Sequence, residues 1–294
     1  MTYTEFKQNI MQMVQNKLGP NVRVTIQEII KNNDTHLDGL TILSGQFNIS
    51  PTIYLNHYYH QYQKGKPISD IYRDILTCYE ENRPKKDIDI TFFTDYEKVK
   101  DHVIFKLINY ERNRELLSKV PHYRFLDLAI VFSCLVNADA DGCATILIYN
   151  HHLSFWDITK DDLYALSMTN TPKLLSYDLK NMTDVLSELL AGADCNDPLD
   201  AFPMYVLSNQ SKLNGSGCIL YHDLLHNFAK QLDSDLYILP SSVHEVLLIP
   251  ASNGESSSEL SAMVREVNAT QLSNEEILSD HVYYYSRETG QLTM

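Results

Sequence analysis

Residues 236–250, Leu-Tyr-Ile-Leu-Pro-Ser-Ser-Val-His-Glu-Val-Leu-Leu-Ile-Pro, constrain the fold more than any other stretch. Two apolar runs rich in strand formers, bounded by proline, belong inside a sheet. The polar residues between them, Ser241, Ser242, His244 and Glu245, would then sit at the edge of a buried core. A serine, a histidine and a carboxylate so close together invite a nucleophile–base–carboxylate reading.

Strand geometry weakens that reading. In an extended chain, neighbouring side chains point to opposite faces, and same-face neighbours lie about 7 Å apart. Ser242 and His244 would share a face beyond hydrogen-bond reach, and Glu245 would point away. No G-x-S-x-G elbow occurs to expose a nucleophile. The plainer expectation is a serine turn after Pro240, with the His–Glu pair tying the sheet edge.

A second candidate is His222-Asp223-Leu224-Leu225-His226, two imidazoles at i and i+4, the spacing of a helical zinc site. Asp223 would have to act as the base, one methylene shorter than the usual glutamate. The third ligand would have to come from elsewhere, for example His244 or Glu275. In a chain with eleven histidines, a chance pair is the simpler account, so no metal and no cofactor is expected.

A third candidate is Asn137, Asp139, Asp141 and Gly142, which match the first half of a calcium loop. The match ends where a bidentate carboxylate is required, because that position is Ile148. A polar hairpin turn explains the same residues. Tyr54, Tyr58 and Tyr62, with His57, Tyr59 and His60 among them, form an aromatic cluster that reads as packing between helix and hairpin, or else as a partner-binding surface. Neither G-x-G-x-x-G nor a Walker sequence is present.

Charge narrows the partners. Residues 1–124 carry 17 basic and 15 acidic side chains, whereas residues 125–294 carry 7 and 23. The acidic part repels a phosphate backbone, which argues against nucleic acid as the main partner. The span 98–124 holds seven basic and three acidic residues, a solvated face complementing the acidic half rather than a nucleic-acid patch. Nineteen tyrosines against one tryptophan suit half-buried strands and interfaces. Five widely spaced cysteines without a C-x-x-C pair fit neither a zinc nor a disulfide framework. The longest apolar run, 128–136, is too short to span a bilayer, and no signal peptide is visible; a soluble cytoplasmic protein is expected.

Along the chain, Thr2 and Glu5 predict a capped helix to about Leu18, and residues 22–30 and 37–46 a hairpin about Asn32-Asn33-Asp34. A short strand at 52–55 and helices at 56–63 and 68–82 follow. The run Arg83-Pro84-Lys85-Lys86-Asp87 is the best boundary, dividing an α-β-β-α module, 1–86, from a larger module, 87–294. Beyond it the pattern predicts strands at 102–109, 125–136, 143–150, 203–207, 217–221 and 282–286, besides the 236–249 pair. Helices are expected at 111–119, from Thr159 to near Pro172, and at 182–190, 222–232 and 256–268. Helices interleaved with hairpins favour α+β, with the larger module on a largely antiparallel sheet.

Several stretches carry a resemblance when taken together. They are Leu-Asp-Gly-Leu-Thr-Ile (37–42), Ile-Ser-Pro-Thr-Ile-Tyr-Leu-Asn (49–56), Lys-Leu-Ile-Asn-Tyr (106–110) and Val-Pro-His-Tyr-Arg-Phe-Leu-Asp-Leu-Ala-Ile-Val-Phe (120–132). Leu-Pro-Ser-Ser-Val-His-Glu-Val (239–246) and Met-Val-Arg-Glu-Val-Asn (263–268) complete the set. Over nearly its full length the chain resembles an uncharacterised bacterial family, domain of unknown function 5688. The resemblance implies a cytoplasmic bacterial protein and supplies no catalytic or ligand-binding residue. The expectation is a binding protein without catalytic activity that takes a protein partner and does not engage a membrane. The alternative is a hydrolase using Ser242 and His244, or a metal held by His222 and His226.

Overall fold

The computed structural model describes residues 1–44, 50–83, 91–139, 142–189, 203–240, 242–251 and 256–294. The chain divides into two units, one formed by residues 1–31 and 35–91, the other by 32–34 and 92–294. The boundary expected around residues 84–87 lies outside the described residues.

In the first unit, helix α1 (Tyr3–Leu18) opens with the expected capping box: Thr2 Oγ accepts from Glu5 N, and Glu5 Oε2 accepts from Thr2 N at 2.7 Å. Such a box satisfies two backbone donors that the first turn leaves open. Its apolar stripe, Phe6, Ile10 and Val14, is fully buried. Strands β1 (Arg23–Lys31) and β2 (Thr35–Leu43) pair antiparallel, and β3 (Thr52–Tyr54) adds to β2. Helices α2 (Leu55–Gln63) and α3 (Ile68–Asn82) complete the unit, with Leu40, Ile42, Ile71 and Ile75 in its core. Tyr54 ends β3 before α2 begins, while Tyr58, Tyr59 and Tyr62 pack against that core.

The second unit has two antiparallel sheets. Short helices α4 (Thr91–Thr94, which straddles the division) and α5 (Tyr96–Val99) lead into β4 (Val103–Asn109) and α6 (Arg114–Lys119). The long strand β6 (Leu128–Asp139) has β4 on one edge. On its other edge lie β5 (His122–Phe125) and then β7 (Gly142–Leu147). The expected single strand from Phe125 is thus a tight hairpin, turned at Leu126, whose φ is +54°. Asn137 and Asp139 fall in the β6–β7 hairpin. Asp141 of the calcium-like pattern, and the side chains of Asn137 and Asp139, lie outside the described residues.

Helices α7 (Asn150–Trp156) and α8 (Lys160–Leu174) follow. The second sheet takes β8 (Tyr177–Asn181), β9 (Tyr205–Asn209), β10 (Leu236–Leu239), β11 (Val246–Pro250), β12 (Tyr283–Tyr285) and β13 (Leu292–Thr293) in the order β13-β12-β10-β11-β9-β8. Helices α9 (Met182–Leu189), α10 (Leu224–Gln231) and α11 (Ser257–Thr270) complete the unit.

The uninterrupted apolar runs at 236–239 and 246–250 now have a cause. Leu236, Ile238 and Leu248 enter the main core beside Phe105, Phe132 and Tyr283. Leu239 and Ile249 face the other way, onto Leu260 and Val264 of α11. Central strands covered on both faces lose the polar alternation of a half-exposed strand.

Two local expectations are corrected. Residues 217–221 are not a strand; Gly215–Leu220 form a 3-10 turn entered through Asn214 at φ +50°. The helix expected from His222 begins only at Leu224, because Asp223 adopts the left-handed region at φ +58°.

Candidate functional site

The second unit carries an open cleft of about 780 Å³ bounded by α8, β8 and α10. Its floor is apolar, with Met168 and Pro172 from α8 and Leu224 and Phe228 from α10. Phe228 is fixed from behind by an edge-on contact with Tyr205, centroids 4.9 Å apart. Its rim is polar, and none of its described residues is Asp, Glu, Lys or Arg: Gln210, Asn227 and Gln231 offer amides, and Ser176 and Thr169 offer hydroxyls. Tyr177 stands at the edge, 54% exposed.

The sequence places these groups by ordinary means. Thr159 and Asp162 cap α8 reciprocally, and hydrogen bonding to Thr159 holds the Asp162 carboxyl below its usual range. Helix α8 then runs through Pro172, past the expected stop, and Leu175 N closes the last turn on Thr171 O at 2.8 Å. Tyr221, at the back of the cleft, donates its phenol to Leu175 O at 2.7 Å. Burial first, and then Cys218 beside it, push the Tyr221 phenol far above its ordinary pKa. It is a neutral, fixed wall rather than a proton donor in reserve.

The structure does not bring the two histidines together. His222 stands outside α10 with its ring 93% exposed, Nδ1 lying 2.9 Å from the Asp223 carboxylate, on the rim of the main cleft. His226 lines a different depression of about 360 Å³ with Leu225, Tyr285 and Leu292. No group of three or more His, Cys, Asp or Glu side chains suited to a metal ion occurs among the described residues. Glu275 joins neither histidine in any such group.

Ser242, His244 and Glu245 occupy the β10–β11 turn, outside the cleft; Ser241 lies outside the described residues. The Ser242 hydroxyl accepts from His244 N at 3.0 Å, the local serine turn rather than a serine–imidazole bond. His244 Nδ1 lies 3.1 Å from Lys212 O, a contact that requires the proton on Nδ1. Below the turn, Ser208 Oγ donates to His244 O at 2.7 Å and Ser216 Oγ to Val243 O at 2.7 Å. Glu245 lines a small depression together with Asp178, Lys180, Ser208 and Lys212.

One polar cluster escaped the sequence. Asp127 Oδ1 accepts from Tyr283 OH at 2.7 Å, and Oδ2 accepts from Ser279 Oγ at 2.6 Å with His281 Nδ1 at 3.1 Å. Beside it Arg112 pairs with Asp280 at 2.6 Å, and Asn268 Nδ2 also donates to that carboxylate. Asp127 lies more than 150 residues from its partners, so no spacing could signal the cluster. No helix among the described residues is long and apolar enough to cross a membrane.

Fold and site together define an α+β protein of antiparallel sheets with an open cleft that has an apolar floor and a rim of amides and hydroxyls. The chain belongs to the family of unknown function DUF5688, whose profile matches residues 3–287. No curated protein and no solved structure matches it.

Proposed function

We propose that the protein is a non-catalytic, cytoplasmic bacterial binding protein whose recognition site is the cleft between α8, β8 and α10. The carrying observation is the pairing of an apolar floor, Met168, Pro172, Leu224 and Phe228, with a rim of amides and hydroxyls. Such a site takes an apolar side chain as anchor and satisfies the backbone groups around it by hydrogen bonds. A protein segment offers both. The surrounding chain is acidic, with 23 acidic against 7 basic residues from 125 onward, and favours a basic or neutral segment. Cytoplasmic residence is supported by the free thiols of Cys78, Cys134 and Cys218. The bacterial setting comes with the family resemblance.

Selection of a phage-displayed random peptide library on the purified protein tests this reading. Thr169→Trp blocks the cleft from an exposed position on α8, and Thr270→Trp on α11 serves as control. Peptides with an apolar or aromatic anchor should be enriched on the wild type and the control and lost on Thr169→Trp. Equal enrichment on all three contradicts the assignment.

A further inference from the structure

Strand β8 ends the six-stranded sheet, with β9 on one side. Its register opposes Tyr177 to Asn209 and Asn181 to Tyr205. Gln210 N donates to Ser176 O and Met182 N to Met204 O, each at 2.9 Å. Hydrogen-bonded and non-bonded pairs alternate along an antiparallel ladder. Ser176, Asp178, Lys180 and Met182 therefore turn their backbone groups toward β9, and Tyr177, Leu179 and Asn181 turn theirs outward. Among the described residues the backbone groups of Tyr177 and Leu179 meet no partner on that side.

We infer that this edge pairs with the β8 edge of a second copy of the chain, antiparallel about Leu179, joining two sheets into one. The inference stands independently of what the cleft binds. Charge is what selects this occupant and this register. Only outward-facing residues can form the hydrogen-bonded pairs, so the allowed registers oppose odd-numbered residues to odd-numbered residues. With Leu179 opposite Leu179, Tyr177 meets Asn181, and Asp178 of one protomer stands opposite Lys180 of its partner, twice. Sliding to the next allowed register in one direction puts Asp178 opposite Asp178. Sliding in the other puts Lys180 opposite Lys180. Opposite charges across a ladder are favourable and like charges are not, so the sequence favours one pairing and penalises its neighbours. The two-fold axis runs perpendicular to the sheet and keeps both clefts on the same face, since Tyr177 and Leu179 line the cleft in each protomer.

Sedimentation equilibrium of the full chain, at increasing concentration, tests the pairing. The wild type should be dimeric. Asp178→Lys alone and Lys180→Asp alone should each weaken the dimer about tenfold or more, from reversing two cross-strand pairs. The double exchange D178K/K180D restores opposite charges across the seam and also, reversed, the contact within β8, where Lys180 Nζ lies 3.9 Å from Asp178 Oδ2, and should return the dimer to near wild-type strength. An equimolar mixture of the two single variants separates the effects: it should form a heterodimer, because opposite charges then meet only across the seam. Circular dichroism checks the fold of each variant. A wild type that stays monomeric to about 100 µM overturns the inference. So does a dimer indifferent to both reversals, or a monomer whose β8 edge instead takes a selected peptide.

Discussion

The phenol of Tyr283 donates to the carboxylate of Asp127 at 2.7 Å, joining the second sheet to the turn that starts β6. Tyr283 is fully buried, and burial, followed by the Asp127 charge, raises its pKa well above the ordinary value. The other oxygen of Asp127 serves Ser279, also fully buried, and His281. Truncating the acceptor leaves two buried hydroxyls without their partner. Asp127→Ala should cost about 2–4 kcal/mol, and Tyr283→Phe about 1–2 kcal/mol. Urea unfolding with an unchanged m-value measures both, and coupling between them in the double mutant identifies the bond.

Asp280 supplies a pH dependence. Burial opposes ionisation of its carboxyl, but the hydrogen bonds from Asn268 and Arg112 and the Arg112 charge outweigh it, and the pKa falls below the usual value. A depressed folded-state pKa means stability present above the unfolded value of about 4 and lost as pH falls through the folded value. Melting temperature should therefore drop as pH is lowered from about 5 toward 2, and Asp280→Asn should lower stability at pH 7 while flattening that drop. A parallel pH profile for wild type and Asp280→Asn would show that Asp280 contributes nothing to it.

Gly215 lies in the 3-10 turn beneath the β10–β11 loop. A Cβ there would lie 2.8 Å from Asn209 N and closer still to Ser208 Oγ and the His244 carbonyl. Backbone atoms cannot step aside as a flexible side-chain end can. Gly215→Ala should cost about 2–3 kcal/mol, read by denaturant melting, and should also disturb the Ser208–His244 bond that holds the loop.

Burial raises the thiols of Cys134 and Cys218 to about 12. Cys218 further donates to Ser208 O at 3.2 Å. The thiolate is the reactive form, so neither should react with a maleimide in the native state at pH 7, whereas the half-buried Cys78 should. Peptide mapping by mass spectrometry, native against urea-unfolded, reads the difference.

His222 and His226 line different depressions, and Asp223 in the left-handed region keeps His222 outside α10, an arrangement that disfavours a joint zinc site. Calorimetric titration with Zn²⁺ should show no stoichiometric site that His226→Ala removes. A tight 1:1 site lost in that variant would reverse the assignment.

The legible parts of this fold were those with local causes. The caps at Thr2/Glu5, Thr159/Asp162 and Ser256/Glu259 all form as their spacing indicates. The β1–β2 hairpin turns at Asn33, whose φ of +57° suits an asparagine. Strand β8 was not legible, since five residues with two charges, Tyr-Asp-Leu-Lys-Asn, carry almost no apolar alternation. Cys218-Ile-Leu reads as a strand, but a short apolar run does not distinguish a strand from a buried turn. The left-handed Asp223, which separates His222 from α10, has no sequence signal of its own. The cleft was invisible for a related reason: α8 and β8 follow one another, but the third wall, α10, comes from a separate stretch of the sequence beyond β9.

Hydrogen–deuterium exchange on the wild-type protein, with and without a peptide enriched on it, tests the binding assignment most directly. Protection should appear in α8 around Met168–Pro172 and in α10 around Leu224–Gln231, with the β10–β11 turn unchanged. Protection confined to the Ser242–Glu245 turn, or to the first unit, would contradict the assignment of the cleft.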